Sequence, residues 1–138
     1  MRKLVFATLF SLLASTAFAQ ETILEAMEDY TGFATYEAGI ISPTQVTPDL
    51  FHSFFFIDTR NEEEFSRASI DGAINIEWRD VFSRIDEIPK DQKTILFCNT
   101  GALSAQSAFG LRVLGYENIL ILQTGYAGWL NHQAAVSK

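Results

Sequence analysis

The sequence predicts an α/β fold, a central parallel sheet flanked by helices in three layers, on three observations. Four or five short apolar runs are read along the chain, at Ala38 to Ile41, Phe54 to Ile57, Ala73 to Ile76, Thr94 to Phe97 and Ile119 to Leu122, and Phe54 to Ile57 lacks any polar alternation, as in a strand buried on both faces. Helix-start and helix-stop signals lie between the runs, as in repeated strand-helix units. A length of 138 residues, 48% hydrophobic and 20% charged, supplies one core and not two.

The N-terminus reads differently. Arg2 and Lys3 precede the apolar run Leu4 to Ala14, and Ala17, Phe18, Ala19 give a small-residue cleavage pattern. This predicts a signal peptide over residues 1–19, cut before Gln20. The run is shorter than the roughly 20 residues of a spanning helix, so we expect export, to the periplasm in a Gram-negative bacterium, and no stable membrane anchor after cleavage. Removing two positive charges from a formal −7 leaves −9 on the mature chain. A surface of that sign disfavours nucleic acid as a partner.

From Glu21 the chain is acidic and aromatic. Thr22 and Glu25 make a capping box ahead of Ile23, Leu24, Met27 and Tyr30 at helical spacing, so residues 20–37 are read as an N-terminal helical extension. The remaining residues 38–138 are read as one globular α/β domain. Its first strand passes into a helix announced by Ser42, Pro43 and Gln45, expected to run to about His52. The strand over Phe54 to Ile57 follows. Asn61 and Glu64 start a helix through Phe65 to about Ala68, and Gly72 breaks the chain before the next strand. Asp80 to Ile85 is expected to form a short helix stopped before Pro89. The β-branched and aromatic strand Thr94 to Phe97 arrives directly at Cys98. A helix over Ser104 to Leu114 ends at Gly115 as at a C-terminal glycine, and Ile119 to Leu122 is the last strand.

Cys98 is the sole cysteine, so the chain can form no internal disulfide, although an exported protein meets an oxidising compartment. A lone cysteine is most often a small buried hydrophobe. Here the strand, the glycine-containing loop Asn99, Thr100, Gly101, Ala102, Leu103, Ser104 and the helix after it argue instead for a solvent-facing nucleophile. In parallel α/β sheets ligands bind beyond the carboxyl ends of the strands, where Cys98 lies. Gly101 allows the loop to turn its amides inward, and the free N–H groups of the helix start add partial positive charge. Both favour a thiolate or persulfide anion and lower the thiol pKa from its ordinary value of about 8.5. His52 and His132 stand alone, without a partner at metal-ligand spacing, and neither a metal nor another cofactor is expected.

The loop Cys98 to Ser104 resembles the active-site loop of the rhodanese-like family. The flanking segments resemble it too: Phe56, Ile57, Asp58, Thr59, Arg60 as a strand ending in Asp-x-Arg; Glu64 with Phe65; Ile70, Asp71, Gly72, Ala73, Ile74, Asn75, Ile76; Leu114, Gly115, Tyr116 through Ile119; and Gly125 through Trp129. The likeness spans about Ile40 to Trp129. It implies a rhodanese-like fold and a sulfurtransferase in which Cys98 takes a sulfane sulfur from thiosulfate, a persulfide or a polysulfide, holds it as a persulfide, and passes it to a thiol or cyanide-like acceptor. It also implies that Asn99 to Ser104 bind the substrate and that Asp58 and Arg60 are a supporting pair. A non-catalytic exported binding module is the alternative.

Three positions depart from the pattern. Ser69 stands where the family has histidine, and Thr124 replaces the first glycine of a pair. Neither Asn99 nor Leu103 supplies the cation that many members carry in the loop, which weakens the case for the dianion thiosulfate as preferred donor. A rhodanese-fold phosphatase would need arginine where Ser104 stands, to clamp phosphate oxygens. Trp129 is expected in the core.

Overall fold

The computed structural model describes residues 19–35, 37 and 39–137. The expected signal peptide therefore lies outside the described residues, apart from Ala19. The chain divides into two units, Met1–Thr35 and Tyr36–Lys138. In the first, residues 19–33 form helix α1. It already runs through Ala19 and Gln20, so Thr22 lies within the helix and not at its first turn. Ile23, Leu24, Met27 and Phe33 are exposed. Among the described residues, no helix is long and apolar enough to cross a membrane.

The second unit is a five-stranded, wholly parallel sheet in the order β1-β5-β4-β2-β3, with helices between the strands. The strands are β1 (Ile40–Ile41), β2 (Phe55–Asp58), β3 (Ile74–Asn75), β4 (Thr94–Phe97) and β5 (Ile119–Leu122). Side chains alternate across each strand, and the core divides accordingly. Phe56, Ile95, Phe97 and Leu122 pack on one face with Ile41, Val46, Ile70, Tyr126 and Trp129. Ile57, Leu96 and Ile119 pack on the other with Ile76, Val81, Ile88, Ala108, Leu111 and Tyr116. This is why the central strands read as unbroken apolar runs: neither face meets water.

The helix expected from Ser42 to His52 is two pieces, a 3-10 turn over Pro43–Gln45 and helix α2 (Pro48–Phe51). The Ser42 amide does donate to the Gln45 Oε1 at 2.8 Å, as a capping box requires. Pro48 then divides the segment, since it lacks an N–H and holds Thr47 extended at φ −72°, ψ 157°. Helix α3 (Glu62–Arg67) starts where expected, with the Asn61 Oδ1 accepting from the Glu64 amide at 2.9 Å. The helix expected over Asp80 to Ile85 is instead a series of turns, closed by the Arg84 amide on the Asp80 carbonyl, and a 3-10 turn follows over Ile85–Glu87. Arg84 explains the loss: its guanidinium binds the Asn75 carbonyl and Glu87, tying the segment to the sheet edge.

Helix α4 (Ala102–Val113) ends at Gly115, which takes φ 87° while its amide bonds the Arg112 carbonyl. A last helix, α5 (Gly125–Val136), was not foreseen as an element, although Trp129 within it is buried in the core as expected.

Candidate active site

Cys98 follows β4 directly, and here the expectation of a solvent-facing thiol is corrected. The residue is only 3% exposed. It forms the floor of a cleft of about 290 Å³ shared with Thr59, Arg60, Asn61, Glu64, Trp78, Arg79 and Leu103 among others. The reason is the loop. Gly101 takes φ 100°, which reverses the chain so that the loop closes over the sulfur before α4 begins.

The Gly101 amide donates to the Cys98 Sγ at 3.2 Å. The Ser104 hydroxyl lies 3.8 Å from the sulfur and donates to the Gly101 carbonyl at 3.0 Å. Burial by itself pushes the thiol pKa up. The backbone N–H groups of Ser104, Thr100, Leu103 and Gly101 outweigh it, and the Cys98 pKa falls below the ordinary thiol value. Four of the six loop residues singled out from the sequence thus act through their amides. The Asn99 side chain lines the cleft wall, its Nδ2 donating to the Glu64 Oε1 at 2.7 Å, and Ala102 is the exposed first residue of α4.

The back of the loop is held by α5. The Tyr126 amide donates to the Cys98 carbonyl at 2.8 Å and the Ala127 amide to the Asn99 carbonyl at 3.1 Å. The start of α5 thus satisfies the loop's carbonyls while the loop's own amides turn to the sulfur. Contact this close requires Gly125: a Cβ there would lie 2.4 Å from the Cys98 carbonyl oxygen, and the residue sits at φ 58°. Thr124, at the position of the family's first paired glycine, takes φ 62°, a left-handed conformation that costs a β-branched residue energy.

Asp58 and Arg60 form a buried pair beside the cleft. The Arg60 Nε bonds the Asp58 Oδ1 at 2.9 Å, a second nitrogen reaches the Ala68 carbonyl at 2.7 Å, and the guanidinium lies 4.2 Å above the Tyr126 ring. Asp58, hydrogen-bonded to this guanidinium, raises the Arg60 pKa and keeps it charged. Ser69, standing where the family has histidine, donates to the Asp58 Oδ2 at 2.7 Å and so joins the same network.

The sequence reading overlooked the far wall of the cleft. Trp78 and Arg79 come from the turns after β3, and Arg79 is a cation at the rim that the loop itself lacks. It is held by Glu77, however, through its Nε and a second nitrogen at 2.8 Å each. Glu64 is the remaining wall, accepting from Asn61 at 3.0 Å and from Asn99.

Known proteins place this geometry. The Rhodanese-like domain family matches residues 44–132. A protein named sulfurtransferase from Allochromatium vinosum is 32% identical over 76 residues, which is 55% of this chain and 71% of that protein. The HIGH ARSENIC CONTENT 1 protein of Arabidopsis thaliana is 25% identical over 88 residues, 55% of this chain and about half, 52%, of that one. Among solved structures, a rhodanese-related protein from Thermoplasma volcanium superposes with a TM-score of 0.62 at 24% identity, covering 67% of this chain and 90% of that one. A parallel five-stranded sheet, a cysteine loop at the end of its central strand and these matches have one reading: the chain belongs to the rhodanese-like domain family.

Proposed function

We propose that the protein is a sulfurtransferase that carries sulfur as a persulfide on Cys98. The observation that carries this is a buried Cys98 sulfur at the end of β4 that accepts from the Gly101 amide at 3.2 Å with the Ser104 hydroxyl 3.8 Å away, in a loop whose amides favour the thiolate against the effect of burial. An anion at Sγ is what such a cradle stabilises, and both the attacking thiolate and the persulfide it becomes are anions.

In the first step the Cys98 thiolate attacks the outer sulfur of a donor R–S–SH. The Sγ–S bond forms as the donor S–S bond breaks, and the departing sulfur takes the electron pair and then the outer sulfur's proton to leave as RSH, so that the Cys98 persulfide is the anion; from thiosulfate the leaving group is sulfite. In the second step an acceptor thiolate or cyanide attacks the outer sulfur, the Sγ–S bond breaks, and the Cys98 thiolate returns. The sequence oxidises nothing overall and calls for no cofactor. Ser104 is placed to turn its hydroxyl hydrogen from the Gly101 carbonyl toward the sulfur. Residues 1–19 direct the chain to export in this reading, which expects a mature protein beginning at Gln20.

The test is sulfur transfer from an organic persulfide to a thiol by wild type and Cys98→Ala. Turnover in the first and none in the second, with unchanged circular dichroism, supports the reading. Equal activity in the two, or none in either, overturns it; the second result leaves a non-catalytic binding module.

A further inference from the structure

The cleft over Cys98 has an unusual charge balance. Arg60 is committed to buried Asp58 and to the Ala68 carbonyl, and Arg79 is engaged on two nitrogens by Glu77. Each cation on the wall is therefore matched by its own carboxylate. Glu64 is matched differently: its carboxylate accepts from two neutral side-chain amides, Asn61 Nδ2 at 3.0 Å and Asn99 Nδ2 at 2.7 Å. Asn99 belongs to the loop that cradles the sulfur, so the carboxylate is fixed at the mouth of the cradle and half-buried there. It also acts through space on Arg60, raising that group's pKa after the effects of Asp58 and burial. With the two ion pairs closed, Glu64 leaves the cleft net negative before the thiolate charge is counted.

We propose that Glu64 is a specificity-determining residue that turns away dianionic donors, so that the site takes an organic persulfide with an uncharged or cationic body in preference to thiosulfate. This rests on the Cys98 reading above. Repulsion scales with the charge of the incoming group and falls with salt. A dianion approaching Sγ meets both the thiolate and the Glu64 carboxylate, and no uncommitted cation on the described wall offsets them. A donor with a neutral body brings only its sulfur, which the loop amides receive.

The experiment compares wild type, Glu64→Gln and Glu63→Gln. Glu63 lies on the same helix, exposed and paired with Arg67, and does not line the cleft. Two readouts are used: kcat/KM for thiosulfate against the persulfide of 2-mercaptoethanol, and the rate of Cys98 alkylation by iodoacetate against iodoacetamide. Thiosulfate carries one more negative charge than the ionised persulfide, and iodoacetate one more than iodoacetamide, so Glu64→Gln should raise both preferences by about three-fold. Added salt should raise the wild-type thiosulfate rate more than the variant's, and Glu63→Gln should behave as wild type. Equal changes in both variants, or unchanged ratios in Glu64→Gln, overturn the proposal. The alkylation ratio does not require sulfur transfer: a shift there without turnover on any donor would refute the sulfurtransferase reading and leave the electrostatic role of Glu64 standing.

Discussion

Gly125 joins α5 to the cysteine loop, and replacing it isolates what that junction contributes. In Gly125→Ala the new Cβ would stand 2.4 Å from the Cys98 carbonyl oxygen and 2.8 Å from the Asn99 carbonyl atoms, all of them backbone. No side chain can swing aside, so loop and helix must separate. The left-handed backbone costs about 1–2 kcal/mol once a Cβ is present. Separation also breaks the Tyr126 and Ala127 amide bonds to the loop, worth about 1 kcal/mol each. The expected loss is about 3–4 kcal/mol. Gly115→Ala is the control, because Gly115 also has a positive φ, 87°, but nothing lies within 4 Å of its Cβ position. It should lose only about 1–2 kcal/mol. Urea unfolding followed by circular dichroism measures both. The cradle adds a second readout: Gly125→Ala should slow Cys98 alkylation at neutral pH as its amides move off the sulfur, and Gly115→Ala should not. Equal destabilisation of the two variants, with unchanged alkylation, would refute the account of the loop being held from behind.

Thr124→Gly should stabilise the protein by about 1 kcal/mol in the same denaturation assay, since glycine accepts φ 62° without the penalty of a branched side chain. Arg60→Ala should cost about 3–5 kcal/mol by thermal or urea unfolding, because it leaves the buried Asp58 carboxylate without its cation. Cys98 makes stability depend on pH in a definite sense. Its folded pKa is lowered, so its contribution is complete above the unfolded thiol value of about 8.5 and is lost as pH falls through the folded value. Wild type minus Cys98→Ala, measured as unfolding free energy across that window, should therefore rise with pH and then level.

What was legible in the sequence follows from how locally each feature is determined. Strands β4 and β5 have the bounds the apolar runs predict, Thr94 to Phe97 and Ile119 to Leu122, because both faces are buried and every residue contributes to the signal. The start of α3 was readable because Asn61 and Glu64 cap it within one turn. Helix α5 was not: Thr124 before it offers no cap bond and takes an unfavourable φ, and its apolar residues hold no helical stripe. Its position is fixed by tertiary bonds to the cysteine loop. The turns at 78–84 were misread for a related reason, as Arg84 reaches back to the Asn75 carbonyl.

The site divides the same way. Cys98, Thr100, Gly101, Leu103 and Ser104 are contiguous, and a glycine between strand and helix announces their cradle. Exposure of the sulfur was misjudged because position at a strand end does not reveal how tightly a loop closes. Glu64 meets Asn99 across 35 residues of chain, and Arg79 enters from the turns after β3. Such partners are set by sheet order, which local patterns do not encode.

The most direct test of the account is the intact mass of the purified protein after exposure to an organic persulfide and removal of excess donor. The account predicts the mass of one added sulfur atom on wild type, mapped to Cys98, absent from Cys98→Ala, and discharged by a thiol acceptor. A Cys98 that stays an unmodified thiol under donor, or an adduct that no acceptor removes, would contradict it.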